Sequence, residues 1–232
     1  MERASGRAAD EPSRAAEDYL KAIYKLQRKA ASVSTSALAG ELARSAASVT
    51  NMVKGLAEQG LVEHEPYHGV RLTSTGEASA LRIIRRHRVL ESYLIEKLGY
   101  TWDSVHAEAE RLEHAASDEL IDRMALAMGE PSHDPHGSPI PSSEGEIAER
   151  AVTRLVDLPG GEPAVVREVA DEDPERLRRL GALGLFPGTR VLLADARDDP
   201  EHLTVRIGGR ERTMERTLAG SVSVERLRDD PA

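Results

Sequence analysis

Residues 34–72 read STSALAGELARSAASVTNMVKGLAEQGLVEHEPYHGVRL, and this stretch decides the fold of the first third of the chain. Ser34, Thr35 or Ser36 can cap a helix over Thr35 to Ala43, and a second helix runs from about Ala46 to Gln59 and stops at Gly60. With only Arg44 and Ser45 between them, the pair is a candidate helix-turn-helix. Two short β-prone runs follow, Leu61 to Glu65 and Val70 to Thr73, around Pro66-Tyr67-His68-Gly69. That is a hairpin the size of a wing. In such a motif the N-terminal residues of the second helix meet base edges and phosphates. Ser45, Ala47, Ser48, Asn51 and Lys54 are therefore the candidate DNA-reading residues, with His68 and Gly69 at the wing tip near the neighbouring groove. Asn51 suits an adenine edge, Lys54 a phosphate, and the two serines phosphate oxygens.

Working outward, Arg14 to Arg28 places Tyr19, Leu20, Ile23, Tyr24 and Leu26 on one face of a helix that precedes the motif. Helices are also predicted over Glu77 to Leu98, Ser104 to Ala115 and Ser117 to Met128. The run GEPSHDPHGSPIPSSEG, 129–145, is dense in Pro, Gly and Ser, which is linker composition. One more helical segment is expected from Glu146 to Leu155. Alternating runs at Ala164 to Val169, Thr189 to Leu193, Leu203 to Ile207 and Ser221 to Val224 then suggest a small β-barrel, with Gly208-Gly209 as one of its turns. The expected organisation is a flexible tail over 1–13, a winged helix-turn-helix domain over 14–76, a helical dimerisation and metal-binding domain over 77–145, a linker over 146–160, and a β-domain over 161–232. The fold class is mainly α.

Composition narrows the chemistry. Aromatic residues make up 3% of the 232, with a single Trp and a single Phe, so cores must be built from Leu, Ile, Val and Ala. There is no cysteine, which excludes disulfides, thiolate nucleophiles and Cys-ligated zinc or iron–sulfur sites. The first thirteen residues lack the apolar stretch of a secretion signal, and no segment reaches the roughly 20 apolar residues of a membrane span, so a cytoplasmic protein is expected. A net charge of -9 argues against a non-specific nucleic-acid coat but is compatible with a reader that has a local basic face.

The densest chemical signal is His106-Ala107-Glu108-Ala109-Glu110-Arg111-Leu112-Glu113-His114. At about 100° per residue, His106, Glu110, Glu113 and His114 fall within an arc of roughly 100° on one side of a helix. Carboxylates crowded together repel one another without a cation, and a merely solvated face would more often intersperse Lys or Arg. One helix earlier His87 and Glu91 stand four apart and share a face, which offers a second half-site. The alternative for that pair is simple hydration, the usual fate of Glu and His on surface helices.

Five separated runs carry a resemblance. They are Ala16-Glu17-Asp18-Tyr19-Leu20-Lys21-Ala22-Ile23-Tyr24, Leu72-Thr73-Ser74-Thr75-Gly76, Arg86-His87-Arg88-Val89-Leu90-Glu91, Val105 to His114, and Pro135-His136-Gly137-Ser138-Pro139-Ile140-Pro141. In order and spacing, over about Arg14 to Pro141, they resemble the diphtheria-toxin-repressor family of metal-dependent regulators. The resemblance implies a C-terminal SH3-like domain, as the longer members carry. It implies a primary metal site of Asp18, Glu110, Glu113 and His114 that switches DNA binding, and an ancillary site of His87, Glu91 and His106. A carboxylate from the third domain would join the ancillary site; Asp173, within Asp171-Glu172-Asp173-Pro174-Glu175, is the candidate, against the alternative of a solvated acidic turn. Iron-responsive members place Met or Cys where this chain has Asp18 and Glu110, whereas manganese-responsive members carry Asp and Glu. Hard oxygen donors suit Mn(II), which is the expected effector, with Fe(II) the alternative because affinity at such sites rises from Mn(II) to Fe(II) and beyond. Two-domain manganese regulators carry a further glutamate at the position of Lys21, so a close binuclear primary centre is not expected here.

The expected function is a homodimeric repressor that binds double-stranded operator DNA when loaded with metal, controls metal-homeostasis genes, and takes no small organic substrate. A catalytic metal centre is the enzyme alternative, but no His-Glu-x-x-His helix, nucleophile elbow or phosphate loop accompanies it. A metal-independent winged-helix regulator is the third reading, separated from the first by whether a chelator affects DNA binding.

Overall fold

The computed structural model describes residues 12–28, 30–65, 69–148, 150–195 and 199–227. The chain divides between Ile84 and Arg85 into two compact units. Among the described residues no helix is long and apolar enough to cross a membrane.

In the first unit, α1 (Arg14–Gln27) starts where the Ser13 side chain accepts the amide of Ala16, and it buries Ala16, Tyr19, Leu20, Ala22 and Ile23. The helix-turn-helix is α2 (Thr35–Glu41) and α3 (Ala46–Glu58). Each begins with a serine cap, Ser34 Oγ accepting from Ala37 N at 3.1 Å and Ser45 Oγ from Ser48 N at 3.2 Å. The turn between them passes through Ala43 at φ 50. The wing pairs β1 (Val62–Glu65) with β2 (Gly69–Leu72), Val62 opposite Leu72. His68 and the other tip residues, 66–68, lie outside the described residues.

The Leu72-Thr73-Ser74-Thr75-Gly76 run closes this unit. Thr73 N donates to Leu61 O at 3.1 Å, and Gly76 N, at the start of α4 (Ser74–Leu98), donates to Thr73 Oγ1 at 3.1 Å. Gly76 lies against the Leu61 carbonyl so closely that a Cβ there would overlap the oxygen. A residue with any side chain would push the helix off the wing.

The second unit takes the remainder of α4, then α5 (Val105–Leu112) and α6 (Asp118–Ala127), which pack Val89, Leu90, Ala109, Ile121 and Ala125 together. Its other layer is a six-stranded antiparallel sheet in the order β3-β8-β4-β5-β6-β7. The strands are β3 (Thr153–Arg154), β4 (Pro163–Val169), β5 (Arg190–Asp195), β6 (His202–Ile207), β7 (Arg210–Glu215) and β8 (Val222–Arg226). A helix α7 (Pro174–Leu183) packs Leu177 and Leu180 onto the sheet's core of Leu155, Val166, Leu193, Val205 and Val224, and a short α8 (Arg216–Ala219) leads into β8.

The mainly α fold with a small SH3-like β-domain is as expected, but local elements differ. The helix expected over Glu146 to Leu155 is not found among the described residues of that range. Thr153 and Arg154 instead pair with Val224 and Ser223, and Leu155 is fully buried in the core of the sheet. The β-branched Val152-Thr153 pair favours an extended backbone, and burial of Leu155 rewards it. Part of the expected linker therefore belongs to the sheet. Both α7 and β7 were not anticipated.

Candidate metal centre

Three segments of the second unit each deliver metal-type donors to one place. His87 and Glu91 lie one turn apart on α4, and His106 and Glu110 one turn apart on α5. Asp171 precedes α7. Glu91 is wholly buried, with Oε1 2.9 Å from His87 Nε2 and 3.1 Å from His106 Nδ1. The two histidine nitrogens are themselves 3.1 Å apart, and Asp171 Oδ2 is 3.6 Å from His106 Nδ1. One ligand atom from each of these four residues lies within 4.8 Å of the others. Burial alone would raise the Glu91 carboxyl, yet the surrounding histidines, His87 foremost, hold it well below the ordinary carboxylate range. A carboxylate that stays ionised without water requires compensating positive charge, which imidazolium or a metal ion can supply.

The remaining ring nitrogen of His87 connects this cluster to the next one. His87 Nδ1 is 2.5 Å from Glu113 Oε2, and Glu113 is fully buried. Glu113 Oε1 is 3.4 Å from His114 Nε2, while Glu110 Oε1 is 3.8 Å from His87 Nδ1. Although α5 ends at Leu112, the Glu113 amide still reaches Ala109 O at 2.9 Å and its backbone stays αR. Glu113 therefore keeps its helical phase; it shares His87 with Glu110 and also reaches His114, while His106 lies with Glu91 and Asp171. Asp18 is half-buried on α1, in the first unit.

Asp173 is placed elsewhere. It is the N-cap of α7, where Oδ1 accepts from Glu175 N at 3.0 Å and Arg176 N at 3.2 Å, and its side chain is 48% exposed. The C-terminal carboxylate that meets His106 is Asp171, two residues earlier. Asp-Pro at a helix start is a capping signal, and the cap holds the half-exposed Asp173 carboxylate against the first turn of α7. Sequence reasoning also passed over Asp134 and His136, both buried within the Pro-Gly-rich run.

On the DNA-reading candidate, Ser45, Ala47, Ser48, Asn51 and Lys54 are all exposed, while Val49, Val53 and Leu56 on the opposite side of α3 are wholly buried. The five residues thus form one solvent-facing stripe along the start of the second helix.

The metal-type donors are nitrogen and oxygen without sulfur. That set fits a hard or borderline dication, and its carboxylates are already clustered in a low-dielectric interior.

Comparison with known proteins agrees with these features along the chain. Residues 12–70 match the N-terminal DNA-binding domain of iron-dependent repressors, residues 73–142 match their metal-binding and dimerisation domain, and residues 153–226 match the FeoA domain. The iron-dependent repressor IdeR of Mycobacterium leprae is 30% identical over 91% of this chain and 96% of its own length. The diphtheria toxin repressor of Corynebacterium diphtheriae is 29% identical over the same shares. Among solved structures, a manganese-dependent transcriptional repressor in complex with manganese superposes with a TM-score of 0.86 at 37% identity, covering 91% of this chain and all of that one. These are DNA-binding regulators rather than enzymes. Taken with the winged helix-turn-helix and the histidine–carboxylate cluster, they establish that this chain belongs to the diphtheria-toxin-repressor family and is a metal-dependent transcriptional repressor with a DNA-binding domain, a dimerisation domain and an SH3-like third domain.

Proposed function

We propose that the chain is a Mn(II)-activated repressor of metal-homeostasis genes, acting as a cytoplasmic homodimer on operator DNA. The donor chemistry carries this reading. Asp18 and Glu110 offer oxygen where iron-responsive relatives offer sulfur, and oxygen suits Mn(II). Fe(II) is the competing effector, since curated relatives are named for iron and the solved structure cited above for manganese.

In this reading Asp18, Glu110, Glu113 and His114 hold the primary ion, and His87, Glu91, His106 and Asp171 the ancillary one. A bound dication supplies the positive charge that offsets the carboxylates. Asp18 belongs to the DNA-reading unit and the other primary residues to the second unit, so their joint ligation ties the pose of α3 to metal supply. Without that tie, the two α3 helices of a dimer sample spacings that miss successive major grooves, roughly 34 Å apart. Ligation shifts the population toward the competent spacing by its differential affinity for the two states. Ser45, Ala47, Ser48, Asn51 and Lys54 then read the groove. Exposed Leu98, Leu120 and Leu126 in the second unit offer apolar surface for the dimer contact.

Gel-shift titration at fixed salt with Mn(II), anaerobic Fe(II), Co(II) and Zn(II) tests the reading. Activation by Mn(II) at the lowest free-ion concentration relative to cellular supply supports it. Operator binding indifferent to a chelator would leave a metal-independent winged-helix regulator in its place.

A further inference from the structure

The Glu91 carboxylate faces two ways. Oε1 meets His87 and His106, as described, while Oε2 points to the other side, where His136 Nδ1 stands 3.6 Å away. Asp134 Oδ2 joins them, and one ligand atom from each of Glu91, Asp134 and His136 lies within 4.8 Å of the others. All three side chains are at 0% exposure. Among the described residues, Glu91 Oε2, Asp134 Oδ2 and His136 Nδ1 have no hydrogen-bond partner. Buried polar atoms are nearly always satisfied, so three unsatisfied ones aimed at a common point call for an occupant.

The local bonds specify what kind. His136 Nε2 is 2.8 Å from the backbone oxygen of Trp102. A carbonyl only accepts, so Nε2 carries a hydrogen, and Nδ1 is the nitrogen that presents a lone pair once a cation displaces its proton. Metal-ligating histidines are commonly oriented in this way, by donation of the other ring N–H to a backbone carbonyl. The ring is also stacked on Trp102, with centroids 5.6 Å apart. Asp134 is equally fixed, because its Oδ1 accepts from His136 N at 2.9 Å and Ser138 N at 3.0 Å, which commits Oδ2 to the buried side. Gly137 permits the turn, with φ +93 and no room for a Cβ against the Arg167 carbonyl. Two carboxylate oxygens and a ring nitrogen thus converge on one buried point.

We propose that Glu91, Asp134 and His136 form a further divalent-cation site behind the ancillary cluster, with the Glu91 carboxylate bridging the two. The proposal rests on the ancillary assignment made above. Two features weaken the deeper site relative to its neighbour. Arg88 Nε lies 3.5 Å from Asp134 Oδ2, its Nη1 held at 2.5 Å by Pro139 O, and an ion in the ancillary site repels a second one. The deeper site therefore fills last. Its rival occupant is a proton: Glu91 counteracts burial and pushes His136 up to about 9, and burial followed by Glu91 pushes Asp134 up to about 7.

Equilibrium Mn(II) binding to the full chain, with low-temperature electron paramagnetic resonance on the same samples, decides between them. The expected result is about three ions per protomer at saturation, the last accompanied by an exchange-coupled signal from a carboxylate-bridged pair. Asp134→Asn keeps the Oδ1 acceptor but puts an amide NH₂ against Glu91. It should remove the third ion and the coupled signal, with two ions still bound per protomer. His136→Gln, which disturbs the loop differently, should do the same. Saturation of the wild type at two ions with uncoupled spectra overturns the deeper site and leaves the proposed function standing. Fewer than two ions overturns both.

Discussion

The two units place their working residues oppositely. In the first, Ser45, Ala47, Ser48, Asn51 and Lys54 lie on the outside of α3, and the interior is Leu, Ile, Val and Ala with the Tyr19 ring, Lys21 being the one buried charged residue among those described. In the second, the interior itself is charged, with His87, Glu91, Glu113, Asp134 and His136 all buried. A DNA reader needs its donors in solvent until the duplex arrives. A metal sensor needs its donors desolvated, because only in low dielectric do clustered carboxylates discriminate strongly between a cation present and absent. The difference predicts that substitutions in the second interior alter switching, whereas those on the first unit's surface alter affinity by degrees.

Glu113→Ala should have the largest effect. The carboxylate is buried and touches both His87 and His114, so its loss removes a primary donor and disturbs the ring that faces Glu91. Metal-stimulated operator affinity should fall by about 100-fold, with the dimer still folded by circular dichroism and size-exclusion chromatography. Undiminished stimulation would take Glu113 out of the switch. Next is Gly76→Ala in the first unit, where the new methyl must displace the Leu61 carbonyl and a loss of about 2 kcal/mol in denaturant stability is expected. Metal binding to the second unit should persist in that variant, and parallel loss of both would break the contrast.

Legibility followed the same division. The helix-turn-helix was readable because serine caps and Gly60 punctuate it, and capping is local chemistry. His87, Glu91, His106, Glu110, Glu113 and His114 were readable because donors at helical spacing share a face, and the structure gathers them. Asp171, Asp134 and His136 reach the cluster from loops, through space, and no periodicity announces that. Strand β7 escaped notice since Arg210-Glu211-Arg212-Thr213 is exposed throughout at the edge of the sheet, so burial imposes no alternation on it. Helix α7 was missed for another reason: Asp173-Pro174 is a legible cap that an acidic run disguised as a turn.

That last pair of carboxylates gives the next smaller effect. Asp171→Ala should weaken ancillary metal binding by roughly 10-fold, the scale expected for a peripheral partner 3.6 Å from His106. Asp173→Ala should leave metal affinity unchanged and cost about 1 kcal/mol of stability through the lost cap. Calorimetric titration with Mn(II), paired with thermal unfolding, separates the two, and an exchange of the two phenotypes would restore Asp173 as the ligand.

The smallest effect belongs to the exposed face, and it sharpens the contrast most directly. Lys54 is solvated on the outer side of α3 and forms no part of the buried clusters. If it neutralises one phosphate, Lys54→Ala should weaken operator binding about equally across sequences and reduce the slope of log affinity against log salt by about 1. The Mn(II) concentration for half-activation should stay where it was, since nothing in the charged interior has changed. A shifted metal midpoint would mean that the outer face and the buried switch are energetically one device, and the opposition between the two units would fail at the residue where it is cheapest to test.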